Sequence, residues 1–240
     1  REGQRIQRYV HLATGNYNRV TSLVFTDVGP LTADAAIVDD VTEAFNTLTG
    51  YSNKRSYRAL LVAPVGLRQG LRALIEREIE HAASGRPAGI IIKNNAVADL
   101  ATIKLLYRAS QAGVPIELIV RGVCCLRPGI PRVSDTIRVR SVVGRLLEHS
   151  RLYWFENSGD PELYTGSADL MERNLDRRIE VLFPVNDPAL RTHLREVVLD
   201  RLLKDTERTW LLTPGGRYER ATTAGEPVDA VPPSTGYRLR

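Results

Sequence analysis

Three apolar runs, YRALLVAP (57–64), AGIIIK (88–93) and PIELIV (115–120), are separated by two stretches whose apolar residues recur every three to four positions. In GLRQGLRALIEREIEHAA the repeat falls on Leu67, Leu71, Leu74, Ile75 and Ile79. ADLATIKLLYRASQAG ends on Gly113, a common helix stop. Strand, helix, strand, helix, strand is the rhythm of a parallel sheet with helices on its faces, so the chain is read as α/β.

Further strand-length runs follow at RLYWF (151–155), LYTGS (163–167) and RIEVLFPV (178–185). A last amphipathic helix is predicted over DPALRTHLREVVLDRLLKD, with Asp187 as cap and Pro188 in its first turn. Residues 1–56 differ: a strand, the turn-rich TDVGPLTAD, then a helix from Ala33 to Leu48 closed by Gly50. That block is too short to form a domain alone and is read as the remnant of a preceding domain, followed by a complete one over 57–213. The Gly, Pro, Thr and charge content of 214–240 predicts a disordered tail. The chain lacks an initiator Met and opens within a strand-like stretch, as a piece of a longer protein would.

Charge narrows the choice of partner. Lys and Arg number 33 against 28 Asp and Glu, a net +5, which admits an anionic ligand without requiring one. Seven arginines lie between Arg121 and Arg151 against only Asp135 and Glu148, an excess equal to that of the whole chain. None is lysine, and a guanidinium forks onto two phosphate oxygens, which favours phosphate binding. On the strand TIRVRSVV, however, Arg138 and Arg140 are read as a solvated face. Cys124 and Cys125 are adjacent, matching neither a disulfide framework nor a zinc-ligand spacing, and are expected to be small residues packed beside a turn. No apolar run is long enough to span a bilayer and the first residues have no signal-peptide core, so a cytoplasmic location, free or peripheral to a membrane, is expected.

The chemistry concentrates in LEHSRLYWFENSGDPELYTGSAD (147–169). A histidine can take or pass a phosphoryl group when one ring nitrogen is held by an acceptor and nearby cations neutralise the phosphate. His149 has Glu148 and Glu156 near it in sequence, and strand alternation would put Arg151 on its side. His11, His81 and His193 are expected to serve packing or surface roles. HLATGNYN (11–18) and LYTGSADLMERN (163–174) each place Gly at a strand exit and end in Asn, which suggests two similar half-sites facing one another.

His-x-Arg followed by Gly-Ser-x-Asp resembles the His-x-Lys and Gly-Ser-x-Asn half-motif of the phospholipase D superfamily. More narrowly, PLTADAA, FNTLTGYS, KNNAVAD, LIVRGVCCLRPG, IRVRSVVGRLLEHSRLYWF and GSADLMERNLDRRIEV resemble the C-terminal half of the long, phosphohistidine-type polyphosphate kinases, from about Arg8 to about Tyr218. The resemblance implies a phospholipase D-like mixed sheet flanked by helices, one complete domain after the remnant of its twin. It also implies reversible transfer of the ATP γ-phosphate to inorganic polyphosphate, with ATP, ADP and polyphosphate as partners, magnesium as the cofactor ion and a homo-oligomer when full-length. The family's phosphate-taking histidine and its magnesium-linked arginines lie upstream, so this piece is expected to be inactive alone and to hold no metal. His149 matches the family's second histidine, an acid, base or phosphate clamp. Arg121 and Arg178 match phosphate-binding arginines, and Arg151 is expected to join them. Phe25, in TSLVFTD, stands where the family has a nucleotide-contacting tyrosine in TARLYTD; stacking survives that change and a hydroxyl contact does not. Lys93, Asn95, Asn16 and Ser167 are second-tier candidates.

Two rivals remain at this stage. A phosphodiesterase or nuclease of the same superfamily would hydrolyse rather than transfer, although nucleic acid is not the expected partner. A non-catalytic polyanion-binding module would need the arginines and not His149.

Overall fold

A computed structural model describes residues 7–53 and 56–221. Residues 1–6 of the expected first strand, and 222–240 of the expected tail, lie outside the described residues. The described chain runs β1 (Val10–His11), β2 (Phe25–Thr26), β3 (Leu31–Thr32), α1 (Ala35–Leu48), β4 (Leu61–Ala63), α2 (Leu67–Ala83), β5 (Ile90–Asn94), α3 (Leu100–Gln111), β6 (Ile116–Val120) and β7 (Ile137–Val142). It continues through β8 (Leu147–Glu148), β9 (Leu152–Phe155), β10 (Glu162–Gly166), α4 (Glu172–Asp176), β11 (Glu180–Pro184), α5 (Pro188–His193), α6 (Asp200–Lys204), β12 (Thr209–Leu212) and β13 (Tyr218–Arg220).

Nine strands form one mixed sheet in the order β13-β12-β7-β6-β5-β9-β10-β11-β4. Only β5, β6 and β7 run parallel; the other pairings are antiparallel. The rhythm of the sequence therefore holds for β5, α3 and β6, but β4 is not the neighbour of β5. The meander β9-β10-β11 occupies that side, and β4 pairs with β11 at the far edge.

The unbroken apolar runs have a direct cause: the sheet is covered on both faces. Ile90 and Ile92 of β5, with Tyr153 and Phe155 of β9, face the core under α2 and α3. Ile91, Leu152 and Trp154 face a second core closed by Leu194, Leu199 and Leu202. The helix predicted over 187–205 is continuous but contains a π segment, Leu194–Leu199, between α5 and α6. Leu194 and Leu199, the two buried residues of that segment, are five apart, and the wider turn carries both to the sheet. Asp187 caps α5 by accepting from the Leu190 amide, with Pro188 following as predicted. Asp34 and Asp99 cap α1 and α3 in the same way.

The first block is fastened to the rest in two places. Ile37 and Val41 of α1 pack with Leu60, Val62 and Phe183, and the buried Asp40 carboxylate accepts from the amides of Ala59 and Leu60. Separately, β2 pairs in parallel with β8, matching Thr26 to Glu148. At the other end, residues 214–221 depart from the disorder their composition predicts. Thr213 and Arg217 close a turn with Gly216 at φ 79°, and β13 pairs with β12, so local turn chemistry outweighs composition there.

Candidate functional site

The β2–β8 pairing delivers Asp27 to His149. Asp27 follows the paired Thr26, His149 follows Glu148, and Asp27 Oδ1 lies 2.8 Å from His149 Nδ1. An ionised carboxylate can only accept, so in the neutral ring Nδ1 carries the proton and Nε2 keeps a free lone pair. Thr14 Oγ1 also donates to Asp27 Oδ1, at 2.6 Å. The orienting acid is thus neither Glu148 nor Glu156. Glu148 instead meets Lys93, and Glu156 receives Trp154 Nε1.

His149 and Arg151 lie between β8 and β9 rather than on one strand, yet their side chains converge. Arg151 Nη1 is 3.3 and 3.2 Å from Nδ1 and Nε2. The guanidinium is held from three sides. Nη1 donates to the Thr14 carbonyl, while Nε and Nη2 fork onto Asp169 at 3.2 and 3.1 Å. Phe25 backs the imidazole, ring centroids 4.6 Å apart at 34°. The pKa of His149 is lowered, chiefly by burial and then by Arg151, with Asp27 opposing, so the ring is held neutral.

These groups open into a cavity of about 810 Å³. His149, Arg151, Arg121, Arg178, Asn95, Asn16 and Ser167 all line it. So do Gly15 and Asn174, which brings residues of both glycine-bearing strand exits to one cavity. Each glycine is fixed by a close approach. A Cβ on Gly15 would sit 2.2 Å from Asp27 Oδ2, and one on Gly166 would sit 1.9 Å from the Val181 carbonyl oxygen. Ser167 anchors its loop to β11, its amide donating to the Val181 carbonyl and its Oγ accepting from the Val181 amide.

Two candidates support the cavity from behind. Lys93 is fully buried and donates to the Ser150 carbonyl and Oγ while pairing with Glu148 at 3.2 Å, so it braces the residues flanking His149 and does not reach the cavity. Burial lowers its pKa, against Glu148, which raises it. Phe25 lines a separate hollow of about 340 Å³, beside His11 and Tyr17, on the other side of Asn16 and Gly15. Asn95 joins two of the cavity's charged groups. Its Oδ1 accepts from Arg121 Nε at 2.9 Å and its Nδ2 donates to Asp169, coupling one cavity arginine to the acid that holds the other.

The run of seven arginines disperses in space. Of these, only Arg121 and Arg151 line the cavity. Arg138 and Arg140 share Glu117; Arg138 is exposed, as expected, whereas Arg140 is largely covered. Cys124 is half-buried and its thiol is pushed up to about 11, mainly by burial, whereas Cys125 is exposed. His81 is buried against Asn157, and His11 meets the Tyr17 hydroxyl at 2.6 Å. Sequence reasoning missed Asp27, Asp169 and Glu180. The TD shared by TSLVFTD and TARLYTD marked Asp27, and GSAD marked Asp169.

Magnesium does not fit the donors present. The cavity offers guanidinium and amide groups, its two carboxylates are tied to Arg151, Asn95, Asn174 and Arg178, and no group of three His, Cys, Asp or Glu suited to a metal forms among the described residues. That set suits phosphate oxygens rather than a protein-held cation.

A mixed α/β sheet covered on both faces, with a histidine beside a guanidinium-lined cavity, defines an α/β domain whose cavity suits an anion. The profile of the polyphosphate kinase C-terminal domain 2 matches residues 60–230 and that of C-terminal domain 1 matches residues 1–54, and the chain belongs to the polyphosphate kinase family. It is 53% identical over 226 residues to polyphosphate kinase of Thermosynechococcus vestitus, covering 94% of this chain and 31% of that protein. It is 50% identical over 229 residues to that of Streptomyces coelicolor, covering 95% and 31%. The crystal structure of polyphosphate kinase from Porphyromonas gingivalis superposes with a TM-score of 0.87 at 39% identity, over 95% of this chain and 35% of that one. The chain thus spans about a third of the length of these relatives. Among the described residues no helix is long and apolar enough to cross a membrane.

Proposed function

We propose that this chain supplies the second half of a polyphosphate kinase active site, in which the γ-phosphate of ATP passes to inorganic polyphosphate and back. The carrying observation is the Asp27–His149–Arg151 arrangement at the cavity wall. A phosphoryl group leaves ATP for a histidine of the preceding half, giving ADP, and then moves to the terminal oxygen of a polyphosphate chain, lengthening it by one unit. His149, neutral and with Nε2 unprotonated beside Arg151, accepts a proton from the incoming phosphate or returns one to the departing one. Arg121 and Arg178 neutralise the transferring group. Arg151, committed to Asp169, holds the imidazole and the local field rather than moving onto substrate. Most of the rate comes from alignment and charge neutralisation, as phosphoryl transfer requires. Phe25 fixes the imidazole from behind and offers its other side to a nucleotide ring. Residues 1–56 close one wall and 57–213 form the main unit.

The decisive assay gives the full-length protein ATP and looks for acid-stable polymer, with phosphodiester and DNA cleavage measured alongside. Polymer made without cleavage supports transfer. Cleavage without polymer overturns it, and binding of polyphosphate with neither reaction identifies a non-catalytic module.

A further inference from the structure

Four guanidinium groups line the cavity, those of Arg121, Arg151, Arg173 and Arg178, and they are not equivalent. Arg151 is nearly buried and spent on Asp169 and Thr14, and Arg121 is held through Nε by Asn95. Arg178 is exposed and only 3.9 Å from Glu180, a loose pair. Arg173, on α4, is exposed, lines the cavity and has no side-chain hydrogen-bond or ion-pair partner among the described residues. Its carbonyl accepts the Arg178 amide at 2.8 Å, so one turn of backbone fixes these two arginines at the same part of the wall. Neighbouring Arg177 is equally exposed but is paired with Glu172 at 2.7 Å and does not line the cavity.

We propose that Arg173 is a substrate-binding residue that, beside Arg178, grips a phosphate of a linear polyphosphate at the outer part of the cavity, while the tethered Arg121 serves the inner part. The reason is electrostatic economy of motion. A guanidinium already satisfied by a carboxylate must give up that bond to take a phosphate, whereas a solvated, unpaired one forks onto it at once. An excess of two guanidinium groups over the cavity carboxylates Asp169 and Glu180 suits a ligand bearing one negative charge per unit. The assignment rests on the polyphosphate reading and refines which residue sets affinity for the chain.

Full-length protein and its Arg173→Ala, Arg173→Lys and Arg177→Ala variants are compared by calorimetric titration with inorganic tripolyphosphate, and by turnover of ADP with polyphosphate. Arg173→Ala should weaken tripolyphosphate binding and raise KM for polyphosphate by on the order of tenfold, with KM for ADP and kcat within about twofold, since one charge-assisted contact is lost. Arg173→Lys should recover part of the loss, and Arg177→Ala should behave as wild type. Unchanged binding and KM in Arg173→Ala, or an equal effect of Arg177→Ala, overturns the assignment while leaving the reaction intact. Absence of turnover in the wild type instead overturns the polyphosphate reading, and the titration then decides on Arg173 alone.

Discussion

Asp27 and His149 lie 122 residues apart in the chain and 2.8 Å apart in space, joined because a two-residue strand in the first block pairs with another just before the histidine. The carboxylate fixes which imidazole nitrogen carries the proton and raises the pKa that burial and Arg151 lower. Replacing Asp27 with Asn removes the raising influence, so the imidazole should titrate still lower, while Arg151→Gln should move it upward. Histidine NMR titration of the two variants checks both directions. A shift of the same sign in both would show that neither group governs the ring.

The same shift makes stability depend on pH. The folded ring binds a proton less readily than the unfolded one, whose pKa is near the ordinary 6.5. The contribution is therefore complete above that value and is lost as pH falls below it towards the depressed folded value. Denaturation midpoints measured from pH 8 to 5 should fall through that window, and His149→Phe should flatten the part of the decline that belongs to this ring.

Gly15→Ala tests the approach of the first strand exit. Its Cβ would meet Asp27 Oδ2 at 2.2 Å, so the carboxylate must move and release the imidazole. A fall in kcat of about 100-fold is expected, in the range seen when a group that orients a catalytic base is displaced. Gly85, at φ 70° in open space, is the control: alanine there strains the backbone without touching the site.

Asp169→Asn leaves the buried Arg151 charge uncompensated. Loss of one partner of such a pair costs about 3 kcal/mol, here seen as a lower denaturant midpoint with an unchanged slope. Tyr153→Phe, which removes a buried 2.7 Å bond to the Ala168 carbonyl one residue before Asp169, should cost about 1 kcal/mol and leave the pair intact.

The sequence reads well where one rule decides the outcome. Asp187 and Pro188 start a helix, Gly113 ends another, and sheet strands covered on both faces betray themselves as unbroken apolar runs. His149, Arg121 and Arg178, each singled out by its motif, line one cavity with Gly15 and Ser167. Non-local pairing was not legible. Nothing in YRALLVAP says that β4 sits four strands from β5, because any neighbour of suitable register would satisfy its backbone. Strand alternation placed Arg151 beside His149 for the wrong reason: the two lie in a connection, and Asp169 and the Thr14 carbonyl aim the guanidinium. Lys93, a second-tier candidate in sequence, is buried instead, because Glu148 and Ser150 satisfy its charge.

The most direct measurement is turnover by the full-length protein carrying His149→Gln, scored as polymer made from ATP, with the denaturation midpoint measured on the same sample. A drop of at least about 100-fold in kcat with a midpoint close to wild type is the outcome expected of a proton-transferring ring in the phosphate cavity. Wild-type turnover in that variant would contradict it.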